Sequence, residues 1–171
     1  MQPSLLQRLD IFLRHRLPFG LCIILILVEA TPTHVTAFAG ISPMLSLIGI
    51  YYWGVYRPDI IGYGTAFSVG LLEDLVGATP LGVSSLTLML SLMIILTQER
   101  FFRDHSLTVT WWAFCVVAAF ATCIRWLLYG FAQGTLSDPF LAVATFAMTI
   151  IFYPIVAWLF ARIQLFALQE V

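Results

Sequence analysis

The chain has 171 residues, of which 61% are hydrophobic and only 10% charged, and its mean hydropathy is +0.97. Soluble domains average roughly 45–50% apolar and about 25% charged residues, so this composition excludes water as the main solvent, and a net charge of -1 excludes a nucleic-acid surface. Cys22, Cys115 and Cys123 all lie inside apolar runs, an odd number in the wrong places for a disulfide framework or a zinc site, and they read as small apolar fillers.

A membrane span needs about 20 mostly apolar residues to cross ~30 Å of hydrocarbon. The first such run covers 17–38 and follows Arg8, Arg14 and Arg16. With Ala37-Phe38-Ala39 beyond it, the segment resembles a secretory signal, but the apolar core ends well before Ala37, and Glu29, Pro32 and His34 intervene, so an uncleaved span is expected. The second run, 41–56, carries Tyr51, Tyr52, Trp53 and Tyr56 near its end. These, with Trp111 and Trp112, are expected to form an interfacial aromatic belt. The third, 61–78, contains Glu73 and Asp74 and ends in Gly77-Ala78-Thr79-Pro80-Leu81-Gly82, a Gly/Pro turn signal. The fourth, 83–98, is short, so 61–98 reads either as two full spans or as a re-entrant hairpin. The fifth and sixth cover 108–131 and 139–161. Short connections predict antiparallel neighbours in one all-α, polytopic membrane domain, 1–171, of about six helices in a compact bundle.

All eight basic residues are arginine. On six crossings, Arg8, Arg14, Arg16, Arg57, Arg100, Arg103 and Arg162 fall on one side, while the opposite connections around 31–42, 78–82 and 130–139 carry none. That asymmetry marks a cytoplasmic face and predicts both termini inside.

Four ionisable residues break the pattern by falling within spans: Glu29, Glu73, Asp74 and Arg125. Each costs about 2.5–3.5 kcal/mol on insertion scales unless it faces protein or water and finds a partner. Counted at 1.5 Å per residue from the Arg-rich side, all four lie at or beyond mid-bilayer and can meet at one depth. On the third span, Ala66, Gly70, Asp74 and Gly77 recur on one helical face of small residues around a carboxylate, a surface that lets another backbone approach closely. Glu73 points about 100° away from Asp74. The expectation is an intramembrane charge clasp in which Asp74 or Glu73 pairs with Arg125. Three roles suit it: fixing helix register, contacting a partner protein, or forming part of a proton or ion pathway.

The sequence carries no nucleophile-base motif, no H-x-x-x-H, no G-x-S-x-G and no Walker loop. His15, His34 and His105 are isolated near helix ends and read as interfacial. Gly62-Tyr63-Gly64 lacks the Thr-Val that precedes it in a potassium filter and sits at the wrong end of its span. No catalytic, metal-binding or cofactor-binding residue is assigned, and no cofactor is expected.

From Pro43 to Leu90 the chain resembles the MreD family, the membrane subunits of bacterial rod-shape machinery. The residues that carry the likeness are Pro43, Tyr52-Trp53, Arg57-Pro58, the series Ala66-Phe67-x-x-Gly70-x-x-x-Asp74-Leu75, and Pro80-Leu81-Gly82. Glu73 adds a second acid where an apolar residue is expected. The resemblance implies a non-enzymatic inner-membrane scaffold that binds MreC and, with MreB, RodA and a penicillin-binding transpeptidase, organises sidewall peptidoglycan synthesis. It also implies a fold similar to the membrane S components of energy-coupling-factor transporters. Ala66, Gly70, Asp74, Gly77, Pro80, Leu81 and Gly82 are then candidates for partner binding or helix packing. The competing reading is a small-solute binding or transport subunit, which would need a roomy pocket with converging polar groups.

Overall fold

The computed structural model describes residues 18–29, 42–102, 107–135 and 138–168. Six helices account for most of them: α1 (Pro18–Glu29), α2 (Leu45–Tyr56), α3 (Tyr63–Val76), α4 (Val83–Phe102), α5 (Leu107–Gln133) and α6 (Pro139–Leu168). Among the described residues there is no strand. The Ala37-Phe38-Ala39 tract, the three histidines, and Arg8, Arg14, Arg16 and Arg103 lie outside the described residues.

Each of the six helices overlaps one of the six apolar runs, though residues 30–38 of the first run lie outside the described residues, and the helices differ in length. Thr108–Gln133 in α5 and Pro139–Gln164 in α6 are long and apolar enough to cross a bilayer. Only 33% and 17% of their most apolar windows are buried. A long core helix of a water-soluble protein would hide that surface, so these two are candidate membrane spans. Helices α2 and α3 are shorter, with 12 residues in α2 and 14 in α3.

Helix α2 is apolar around its whole circumference, and a helix without a polar face has to be enclosed. It is buried from Leu45 to Val55 by α1, α3, α4 and α6. Glycines allow the close approaches: a β-carbon at Gly49 would lie 2.9 Å from Cys22 Sγ on α1, and one at Gly54 would lie 3.1 Å from Ile95 on α4. This enclosure corrects the expected aromatic belt. Tyr51, Tyr52 and Trp53 are no more than 5% exposed and form the core. Tyr51 makes edge contacts with Phe114 of α5 and Tyr153 of α6, which stack on each other at 4.2 Å, and its hydroxyl donates to the Thr110 carbonyl at 2.8 Å. Tyr52 packs on Phe160 and donates to Gln164 Oε1 at 2.9 Å. Of the expected belt residues, Trp112 is the one that faces outward, at 64% exposure.

Helices α3 and α4 form an antiparallel hairpin closed by the 77–82 turn. Ala66 and Gly70 face α4, as the small-residue spacing predicts. A β-carbon on Gly70 would stand 2.4 Å from Ser85 Cα and 2.6 Å from Ser85 N, so the two backbones touch where no side chain fits.

Candidate functional site

The ends of the helices opposite Arg57 share a polar layer to which all six helices contribute. Its centre is Glu73 of α3, buried to 5% exposure. One carboxylate oxygen accepts from Arg125 Nη1 of α5 at 2.8 Å and from Ser84 Oγ of α4 at 3.1 Å; the other accepts from Ser46 Oγ of α2. Glu73 is therefore the acid that pairs with Arg125. The pair sits in surroundings of low dielectric, where an uncompensated carboxylate would be costly, and three donors satisfy it.

Asp74 serves a different purpose, because one residue along a helix turns its side chain by about 100°. At 1% exposure it accepts from Thr79 Oγ1 at 2.8 Å, Gly82 N at 2.8 Å and Ser84 N at 3.0 Å. Gly82 precedes α4 and has no side chain with which to cap it. Asp74 supplies the missing acceptor from α3, and its charge also suits a helix N-terminus. The turn itself uses a left-handed backbone at Gly82, φ 101°, and at Ala78, φ 51°. Further backbone bonds run from Gly77 N to the Glu73 carbonyl at 2.8 Å and from Thr79 N to the Asp74 carbonyl at 3.2 Å.

Glu29, the last described residue of α1, caps α2, accepting from Leu45 N at 3.2 Å and from Ser42 Oγ at 3.4 Å. It lies close enough to Glu73 and Arg125 to interact with both electrostatically. From α6, Thr149 Oγ1 accepts from Met44 N at 3.0 Å while donating to the Thr145 carbonyl at 2.7 Å. The first amides of α2 are thus satisfied by α1 and α6, because Met44 at its N-cap makes no side-chain capping bond.

The four expected charged residues do converge on one end of the bundle, but as a linked pair with a neighbouring acid, and a separate cap. Of the small-residue candidates, Ala66, Gly70 and Asp74 are buried inside the hairpin, Pro80 and Gly82 are half-buried, and Gly77 and Leu81 are exposed. Sequence reading missed Ser46, Thr79, Ser84 and Thr149, the hydroxyl groups that join the acids to their neighbours. Their signal was present, since a hydroxyl within an apolar run also asks for a partner. Among the described residues, no group of three His, Cys, Asp or Glu side chains is arranged to hold a metal ion.

Fold and site together define a protein that is all-helical among the described residues, with two candidate membrane spans and buried polar groups that hold its helices to one another. The model of the family of the rod shape-determining protein MreD matches residues 12–163, and the chain belongs to that family. It is also similar to the rod shape-determining protein MreD of Haemophilus influenzae, 30% identical over 107 residues. That match covers 63% of this chain and 64% of the relative, a little under two thirds of the relative's length. No solved structure matches the chain.

Proposed function

We propose that this protein is a non-enzymatic scaffold of the bacterial inner membrane that crosses the bilayer six times with both termini in the cytoplasm. In this reading it binds MreC and, with MreB, RodA and a penicillin-binding transpeptidase, organises sidewall peptidoglycan synthesis. The family match across nearly the whole chain carries the proposal. The polar layer supports it: Glu73 and Asp74 are each held by three donors from this chain, as befits groups that fix helix register. With Ala66, Gly70 and Asp74 turned inward to pack the hairpin, the MreC contact falls to outer surfaces of the bundle away from the α3–α4 edge. The similarity to energy-coupling-factor S components belongs to the same proposal, and superposition of an experimental structure on those subunits tests it.

The functional test is affinity purification of the tagged chain from its own host, combined with depletion. MreC is expected to copurify, and depleted cells are expected to round up. Retained rod shape together with a preparation free of MreC would overturn the proposal.

A further inference from the structure

Among the outward-facing helices, α3 and α4 differ in apolar length from α5 and α6. The apolar windows of α5 and α6 are 26 residues each, about 39 Å at 1.5 Å per residue. A second edge is built from α3, 14 residues and about 21 Å long, and from α4, a 20-residue helix whose apolar part, Val83–Thr97, is about 22 Å long. Both are bounded at each end: Arg57, Pro58 and Asp59 precede α3, the 77–82 turn joins the two, and Gln98, Glu99 and Arg100 follow in α4. The apolar helical part of this edge falls about 9 Å short of a ~30 Å hydrocarbon core. Tilting shortens the vertical reach of a helix, so it cannot make up the difference.

The surface of that edge is apolar from one end to the other. Phe67, Leu75, Leu81, Leu86, Leu90 and Met93 are between 36% and 68% exposed. The exposed serine and threonine hydroxyls among them, Ser68 and Thr97, are bonded to their own helices, to the Gly64 carbonyl at 2.8 Å and the Met93 carbonyl at 2.7 Å. Such a face offers hydrocarbon what it needs. The turn is prepared in the same way. Backbone groups cannot face lipid unsatisfied, and Asp74, the Glu73 carbonyl and the Pro80 carbonyl take up the amides of Gly77, Thr79, Gly82, Val83 and Ser84.

We propose that the α3–α4 hairpin is a lipid-facing edge of reduced thickness, along which the bilayer thins and short-chain phospholipid is preferred, while α5 and α6 meet a bilayer of full thickness. This rests on the membrane-spanning reading above and adds to it a ligand class, phospholipid selected by acyl length, and a place on the fold.

The test uses the full chain in vesicles, with Cys115→Ala and Cys123→Ala as background; Cys22 is buried and stays. A bimane label is attached at Phe67→Cys or Leu86→Cys on the thin edge, or at Val143→Cys on α6, which is 63% exposed. Quenching by dibrominated dioleoyl phosphatidylcholine is then competed with dimyristoleoyl or dierucoyl phosphatidylcholine. At Phe67→Cys and Leu86→Cys the shorter lipid is expected to relieve quenching more effectively than the longer one, by about threefold or more, with the preference absent or reversed at Val143→Cys. Equal competition at the two edges overturns the proposal. So does a quenched label at Val143→Cys beside unquenched labels at both hairpin positions, which would mean that protein covers that edge. Loss of quenching at all three sites would instead refute membrane spanning itself, so the two readings fail separately.

Discussion

The two ends of the central helix α2 are held in contrasting ways. At its N-terminal end, bonds of fixed direction tie it to α1, α3 and α6 through Glu29, Glu73 and Thr149. Toward its C-terminal end, Tyr51, Tyr52 and Trp53 pack against Phe114, Tyr153 and Phe160 with few polar bonds, and the buried indole nitrogens of Trp53 and Trp111 have no hydrogen-bond partner among the described residues. Ring packing tolerates small adjustments, whereas a buried carboxylate with three donors tolerates almost none. The polar end therefore sets the register of the helices, and the aromatic end fills the space that this register leaves.

Breaking the polar end should have the largest effect. Arg125→Leu leaves Glu73 buried without its cation, a loss on the order of 3–5 kcal/mol for a buried pair. The thermal midpoint of the detergent-solubilised protein should fall steeply, and the charge-swapped pair Glu73→Arg with Arg125→Glu should recover part of it. Failure of the same swap between Asp74 and Arg125 would confirm that the two acids have different jobs. A full recovery there would erase the distinction.

Gly70→Ala comes next, because its β-carbon meets the Ser85 backbone and the hairpin has to open. Overpacking of this kind costs about 1–3 kcal/mol, more where only backbone can yield. Crosslinking between cysteines placed across α3 and α4 should weaken with it, and unchanged crosslinking would show that the approach is looser than 2.4 Å implies.

The smallest effect is expected at the aromatic end. Trp53→Phe removes no hydrogen bond and keeps an aromatic ring against Phe160, so its cost should stay within about 1–2 kcal/mol, mostly lost packing. A loss as large as that of Arg125→Leu would mean that the aromatic end also fixes register, and the contrast between the two ends would collapse.

Much of this was legible in the sequence. The apolar runs located six helices because the length of an apolar segment is a local property. The Ala66/Gly70 spacing announced a close backbone approach because residues four apart share a helical face. Rise per residue brought Glu29, Glu73, Asp74 and Arg125 to one end of the bundle, and the Gly/Pro turn was read at its true place. Part of the MreD resemblance, Ala66, Gly70, Asp74 and Gly82, rested on residues that the structure shows packing and capping the hairpin.

Tertiary structure alone decided the rest. The apolar pattern of α2 was equally compatible with lipid and with protein around it, since both are apolar solvents for a helix. Only its neighbours made Tyr51, Tyr52 and Trp53 core residues instead of interfacial anchors. Adjacent acids on one helix could not be told apart by spacing, because each points toward a neighbour whose position depends on packing. The structure gave Arg125 to Glu73 and the α4 N-terminus to Asp74, because the Arg125 side chain reaches Glu73 from α5 while the amides of Gly82 and Ser84 in the returning chain meet Asp74.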